Sequence, residues 1–399
     1  MIKNILKSYD YSILIVYIIL SIFGLVMVYS ASMITAVANG LESDFFYKKQ
    51  LLNLIIAFFA FLIAAIFPYK IMKSNKFLIP IVFLSLVGLI GLFFFGIVAN
   101  NAQSWFDLGS RSIQPGEFVK LCVIVYMSAV YAKKQKYIDQ FNKGAVPPLV
   151  YLVIACCLVA IQPDIGTASI IFAIGCIIVL CSGMGWKNLF KLFMIGLALL
   201  LFISPFLLMK KDEILTENRI GRLNSFINPF EYEQTEGYQV VNSYIAIGNG
   251  GLTGVGLGKS IQKLGYLPEA HTDFIISIVS EELGIYGVGF VIFSLGFLTL
   301  RGFYIGMKCR DPFGSLLAFG VSGMIGIQSF INLGGATGLI PLTGVTLPFV
   351  SYGGSSLLVL SIGIGIILNV SMFTNYELNY KKKKVENEEI KTSKIKWSY

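Results

Sequence analysis

The stretch Tyr238–Gly284, YQVVNSYIAIGNGGLTGVGLGKSIQKLGYLPEAHTDFIISIVSEELG, decides how the chain is read. It is the longest polar, glycine-rich interruption in a chain that is otherwise mostly apolar. It ends by running into an apolar segment with Asp273 at its mouth and Glu281 and Glu282 about two turns further in. Carboxylates inside a membrane span are costly, and by default they mark a site.

Outward from that stretch, 56% of the 399 residues are hydrophobic and 13% are charged. The mean hydropathy is +0.76. This is the composition of a polytopic membrane protein, not of a soluble domain around one core. The first apolar run, Tyr11–Tyr29, is long enough to span, and no small-residue cleavage site follows it, so no cleavable leader is expected. Cys122, Cys156, Cys157, Cys176, Cys181 and Cys309 lack metal-ligand spacing and read as small apolar residues. The single histidine, His271, excludes a multi-histidine metal site.

A spanning helix needs about 20 apolar residues. Ten stretches qualify: Tyr11–Met33, Leu51–Phe67, Phe77–Ala99, Phe118–Ala132, Val146–Ile161, Thr167–Gly183, Leu189–Met209, Phe274–Leu300, Leu316–Leu333 and Ser355–Phe373. With the amino terminus in the cytoplasm, the inner segments hold 21 of the 31 basic residues, and about 15 of the 22 acidic residues fall outside. That bias follows the positive-inside rule. The expected fold is an all-α polytopic membrane protein of ten transmembrane helices with both termini cytoplasmic. Residues 210–272 form a large outer loop between spans 7 and 8, and residues 380–399 form a basic cytoplasmic tail. The net charge of +9 is thus a topology signal and implies no nucleic-acid partner. The lysine run Lys381–Lys384 anchors against anionic membrane lipid.

Within the opening stretch, Thr272 or Asp273 can cap the helix that follows. Asp273 can equally act as a general base at the membrane–water boundary, where partial desolvation raises a carboxylate's pKa. The two readings are compatible. Asp273, Ser277 and Glu281 share one helix face by their spacing, so the stripe should line a cavity or pair with a cation, with Glu117 and Lys120 as candidate partners. Arg219, Arg222, Lys259 and Lys263 lie near Gly248, Gly250, Gly251, Gly254, Gly256 and Gly258, a pattern that suits a flexible loop or a phosphate cradle. Gly334–Ser356, GGATGLIPLTGVTLPFVSYGGSS, reads as a broken or re-entrant segment, tolerated at depth only against protein or a cavity.

These segments together resemble the SEDS family of shape, elongation, division and sporulation proteins, the ten-span glycan polymerases of peptidoglycan. The carrying motifs are Asp10-Tyr11 with GLVMVYSAS (24–32), QPGEFVKL (114–121), QPDIGTA (162–168), YQVVNSYIAIGNGGLTGVGLG (238–258), LPEAHTDFI (267–275), EELG (281–284) and PLTGVTLPFVSYGGSS (341–356). The amino-terminal stretch looks closest to the division branch. Three departures stand out. Asn101-Ala102-Gln103-Ser104-Trp105 lacks the usual glycine and basic residue, Gly116 replaces the serine of QPSEF, and Asn242-Ser243 replaces Gln-Ser.

The resemblance implies an inverting glycosyltransferase that polymerises lipid II on the outer face of the bacterial cell membrane, at the division septum, and releases undecaprenyl pyrophosphate. Residues 1–379 would form the polymerase domain. The family's essential aspartate falls on Asp273, the implied catalytic base. The candidate substrate-binding residues are Trp105, Glu117, Lys120, Asp164, Arg219, Arg222, Gln239, Lys259, His271, Thr272, Glu281 and Glu282. A divalent cation, Mg or Mn, is the candidate cofactor. The implied partners are a class B penicillin-binding protein transpeptidase and other divisome membrane proteins. Two other readings fit an outward polar cavity: a lipid II flippase, and a non-catalytic scaffold for the transpeptidase.

Overall fold

The computed structural model describes residues 2–99, 102–107, 109, 112–209, 221, 224–235 and 237–381. Its helices are α1 (Ile2–Leu6), α2 (Tyr11–Ala38), α3 (Phe45–Ile66), α4 (Asn75–Phe95), α5 (Pro115–Lys133), α6 (Phe141–Gly144), α7 (Val146–Ile161), α8 (Ile165–Cys181), α9 (Trp186–Met209), α10 (Tyr238–Gly250), α11 (Ile275–Lys308), α12 (Pro312–Ala336) and α13 (Gly354–Tyr376). Each of the ten apolar stretches coincides with a helix over most of its length. Among the described residues, seven helical segments are long and apolar enough to cross a membrane, and α7 and α8 are shorter apolar helices. The molecule is a mostly helical, multi-pass membrane protein.

Capping explains several boundaries. Asp10 accepts from Ser12 N at the start of α2, Asp164 from Thr167 N at the start of α8, and Asp311 from Gly314 N at the start of α12. Pro115 and Pro312 sit in the first turns of α5 and α12, where a missing N–H costs nothing. α12, α13 and α5 are the most enclosed long helices. α13 packs on α3, and α12 packs on α5, α8 and α11. Buried hydroxyls bridge helices, as in Tyr17 Oη to Ser361 Oγ at 2.9 Å. Each such bond inside a membrane contributes about 0.6 kcal/mol.

The segments between helices gather at two ends. At one end Tyr69 N donates to Asn369 Oδ1 at 2.9 Å, Arg301 pairs with Asp10 at 2.8 Å, and Gln135 Nε2 donates to Ser182 O at 2.9 Å. At the other, Gln50 Nε2 donates to Ser351 O at 3.2 Å, Gln114 Nε2 to Asp164 Oδ2 at 3.1 Å, and Tyr352 N to His271 O at 2.9 Å.

The sequence reading needs two corrections of architecture. The third span ends at Phe95, not Ala99. Ile97–Ala99 is instead β1 of a small antiparallel sheet, followed by β2 (Ala102–Asp107) and β3 (Ser112–Ile113). Ile97 faces Trp105, and Phe106 faces Ile113. The all-α expectation therefore gains a small three-stranded sheet between α4 and α5. The strands are too short to leave a pattern distinct from the apolar run before them. The second correction concerns α11. It is not one straight span, because Gly284 breaks it at φ 62°, ψ −155°. Only glycine adopts that backbone without strain.

Candidate active site

Asp273 lies in the turn that precedes α11, one residue before the N-cap Phe274. It is half-buried. Its Oδ2 faces the backbone at Gly344, where a Cβ would stand 3.6 Å away. Thr272 does not cap the helix. Its hydroxyl donates back to Glu269, to the carbonyl at 3.1 Å and to Oε2 at 2.5 Å.

Residues 337–353, the broken segment expected from its glycines and prolines, form the hub of this end. Gly166, in the first turn of α8, lies so close to Thr343 O that a Cβ there would collide. Val345 O accepts from Asn332 Nδ2 at 2.7 Å, and Thr346 O accepts from Gln328 Nε2 at 3.2 Å. Asp164, half-buried, joins α5 to α8 through Gln114. The motifs QPGEF, QPDIG, HTD and PLTGVTLPFVSYGG are thereby brought together.

Glu117 and Lys120 form a buried pair at 2.7 Å, with Lys120 fully enclosed. Lys120 Nζ also donates to Gln328 Oε1 at 3.3 Å, while Glu117 Oε2 is buried without a hydrogen-bond partner among the described residues. The pair belongs to the wall beneath the site, and it is not the partner of Glu281 or Glu282. Glu282 pairs instead with Lys263 at 2.6 Å and accepts from Ser30 Oγ at 2.7 Å, all three buried. Glu281 accepts from Ser260 Oγ, Ile261 N at 3.2 Å and Gln262 N at 3.3 Å. Ser277, on the same face, meets Ser243 Oγ at 2.7 Å. Below Asp273 the polar stripe is engaged by neighbouring protein groups. Its two lower members, Ser277 and Glu281, are met by hydroxyls and backbone N–H groups.

The glycine-rich segment is likewise structural. Gly250 has no room for a Cβ against Ser280 O. Val255 N and Gly256 N donate to Glu281 O at 2.9 Å and Glu282 O at 3.0 Å, so these amides are not turned toward an anion. Lys259 is exposed on this strap. Arg219 and Arg222 lie outside the described residues. Gln239 is half-buried on α10, and Trp105 is half-buried on β2, which packs against α4 and α5.

His271 is buried between the rings of Phe46, 4.6 Å away, and Tyr352, 5.7 Å away. Burial pushes its pKa below the ordinary histidine value, with the nearby Glu269 opposing this. Its Nδ1 has no hydrogen-bond partner among the described residues.

The sequence reading missed Gln328 and Asn332, which organise this end. Their signal was present: two amides at i, i+4 spacing inside an apolar span are expensive unless engaged. It also missed Lys263 as the partner of Glu282, because the pairing depends on how the strap folds back.

A profile of the FtsW/RodA/SpoVE proteins, described as "Cell cycle protein", matches residues 10–376. The chain is 56% identical over 384 residues to the probable peptidoglycan glycosyltransferase FtsW of Bacillus subtilis, covering 96% of this chain and 95% of that one. It is 38% identical to the stage V sporulation protein E of the same organism, covering 92% and 98% of the two chains. Among solved structures, a chain from "Structural coordination of polymerization and crosslinking by a peptidoglycan synthase complex" superposes with a TM-score of 0.72 at 23% identity, covering 92% of this chain and 98% of that one. The Rod shape determining protein RodA of Thermus thermophilus does so with a TM-score of 0.63 at 24% identity, covering 91% and 96%. With the profile and the relatives agreeing over nearly the whole length, the chain belongs to the FtsW/RodA/SpoVE, or SEDS, family.

Proposed function

We propose that the protein is the peptidoglycan glycan-chain polymerase of cell division. It transfers the growing lipid-linked glycan onto the 4-hydroxyl of the GlcNAc of lipid II and releases undecaprenyl pyrophosphate. The observation that carries this reading is the placement of Asp273. Glu117 and Glu282 are enclosed against lysines, Glu281 is enclosed by Ser260 and two backbone amides, and Asp164 caps α8. Asp273 is half-buried, at the mouth of the segment that joins the family's motifs. A base there is partly desolvated yet reachable by a hydroxyl arriving from outside.

In the reaction Asp273 takes the proton of the GlcNAc 4-hydroxyl. The oxygen attacks C1 of the MurNAc at the end of the lipid-linked chain, the C1–O bond to pyrophosphate breaks, and the anomeric configuration inverts. Pyrophosphate leaves without an acid, so one carboxylate suffices. Cationic side chains on the outer strap and loop, Lys259, Arg219 and Arg222, balance the charge that grows on the leaving group. Among the described residues no group of three His, Cys, Asp or Glu side chains could hold a metal. A Mg or Mn ion, the candidate cofactor, would supply positive charge to the leaving pyrophosphate.

The division branch is supported by the 56% identity to a relative named FtsW against 38% to the sporulation relative. We place ten spans in the membrane with both termini cytoplasmic, and the site on the outer face at the septum. The partner is a class B penicillin-binding protein transpeptidase within the divisome. The solved neighbour comes from a peptidoglycan synthase complex that coordinates polymerization with crosslinking, which supports this pairing.

The test is polymerisation of lipid II by the full-length protein in liposomes with its transpeptidase. Asp273→Ala should lower strand formation by at least about 10²-fold, the usual contribution of a positioned base. Strands growing at the normal rate would sink the mechanism.

A further inference from the structure

Asp273 sits on a stretch of main chain held at three consecutive carbonyls. His271 O accepts from Tyr352 N at 2.9 Å, Thr272 O from Ser351 Oγ at 2.5 Å, and Asp273 O from Asn332 Nδ2 at 2.8 Å. The Asn332 amide donates a second time, to Val345 O at 2.7 Å. Both neighbours are carbonyls, which only accept, so chemistry fixes which end of the amide is Nδ2. Its Oδ1 is buried with no hydrogen-bond partner among the described residues. A residue kept for packing would not leave a buried acceptor unmatched, because that costs more than a typical bond returns. The orientation is set by the two donations.

One turn below on α12 is Gln328, also buried. It accepts from Lys120 Nζ and donates to Thr346 O and to Ser356 Oγ, the last at 3.0 Å. Two amides at i, i+4 spacing on one helix therefore join three parts: the Glu117–Lys120 wall, the 345–346 backbone and the Asp273 turn. Asp273 lies just before the first turn of α11, and these tethers hold its main chain there.

We infer that Asn332 is a positioning residue for the reaction, fixing the main chain of Asp273 against the Val345 backbone, with Ser351 completing the clamp from the opposite side. This rests on the reading of Asp273 as the base. The clamp touches neither substrate nor reacting atoms. It acts by keeping the carboxylate in register with an incoming hydroxyl. A misplacement of about 1 Å at such a group costs about 10²-fold in rate.

The experiment is steady-state polymerisation of lipid II by the full-length protein in liposomes with its transpeptidase partner, comparing Asn332→Leu, Ser351→Ala and Asp273→Ala. Asn332→Leu removes both donations at similar volume. It should lower kcat by about 10²-fold and leave KM within about two-fold. Ser351→Ala should lower kcat in the same sense by about 10-fold. Ser351→Ala decides the matter if Asn332→Leu fails to fold in a thermal melt. Unchanged kcat in the folded variants overturns the inference, and so does a rise in KM at constant kcat, which would make the clamp part of substrate binding. The underlying reading fails separately, if Asp273→Ala keeps normal activity.

Discussion

His271 shows how a residue beside Asp273 acquires a pH dependence of its own. Burial between Phe46 and Tyr352 holds its pKa below the ordinary value near 6.5. Its charged form is disfavoured in the folded state, so the unfolded chain takes up the proton first. The stability it permits is complete above about pH 6.5 and declines as pH falls from there toward the depressed folded value. The apparent melting temperature of the wild type should therefore drop more between pH 7 and pH 5 than that of His271→Gln; equal drops would remove the argument. The identity of Asp273 as the residue of interest was legible from its place before an apolar run in a motif-bearing stretch. Its actual surroundings were not. Three of its neighbours' tethers come from Asn332, Ser351 and Tyr352, some 60–80 residues away in the chain. Their residue types are ordinary, and only the fold makes them partners.

At the scale of elements, the strap of residues 251–264 is fastened to the first turns of α11 by two buried carboxylates. Glu282 meets Lys263 and Ser30, and Glu281 meets Ser260 and two amides. Replacing two buried charges together is often tolerated, but removing one partner leaves the other stranded, at a cost of about 3–5 kcal/mol. Lys263→Met should therefore lower thermal stability sharply, and the double variant Lys263→Met with Glu282→Leu should recover much of the loss in the same melt. If single and double variants melt alike, the pair is not what fastens the strap. The break beside it makes a second demand. Gly284→Ala would place a methyl on Leu252 O in a backbone conformation reserved for glycine, so it should destabilise by more than an ordinary helix substitution. The apolar runs made the helices legible, since each needed only its own composition. The strap, by its sequence, suits a flexible loop or a phosphate cradle, because glycine and lysine serve both tasks. What separates them is where the amides point, and Val255 and Gly256 point at carbonyls of α11.

For the whole molecule, alternation of the spans is open to direct measurement. Asn39 and Thr337 are exposed at the end that carries Asp273, and Lys136 is exposed at the opposite end. A membrane-impermeant maleimide added to intact cells should label Asn39→Cys and Thr337→Cys but not Lys136→Cys until the cells are opened; labelling of all three, or the reverse pattern, contradicts an outward site. The basic tail from Lys382 onward and the loop carrying Arg219 and Arg222 lie outside the described residues. The interrupted helix has a mechanical consequence. Ile285–Lys308 alone, 24 residues, is about 36 Å long and sufficient to cross the hydrocarbon layer. Ile275–Leu283 is latched to the strap and α2, not to lipid. Spans answer changes in bilayer thickness by tilting. Past the glycine break, Ile285 N donates to Gly251 O and Leu252 O at 3.2 Å, so the strap holds the joint itself as well. The start of α11 is thus fastened to protein on both sides of its break, and any tilt that answers bilayer thickness begins below Ile285, away from the Asp273 turn.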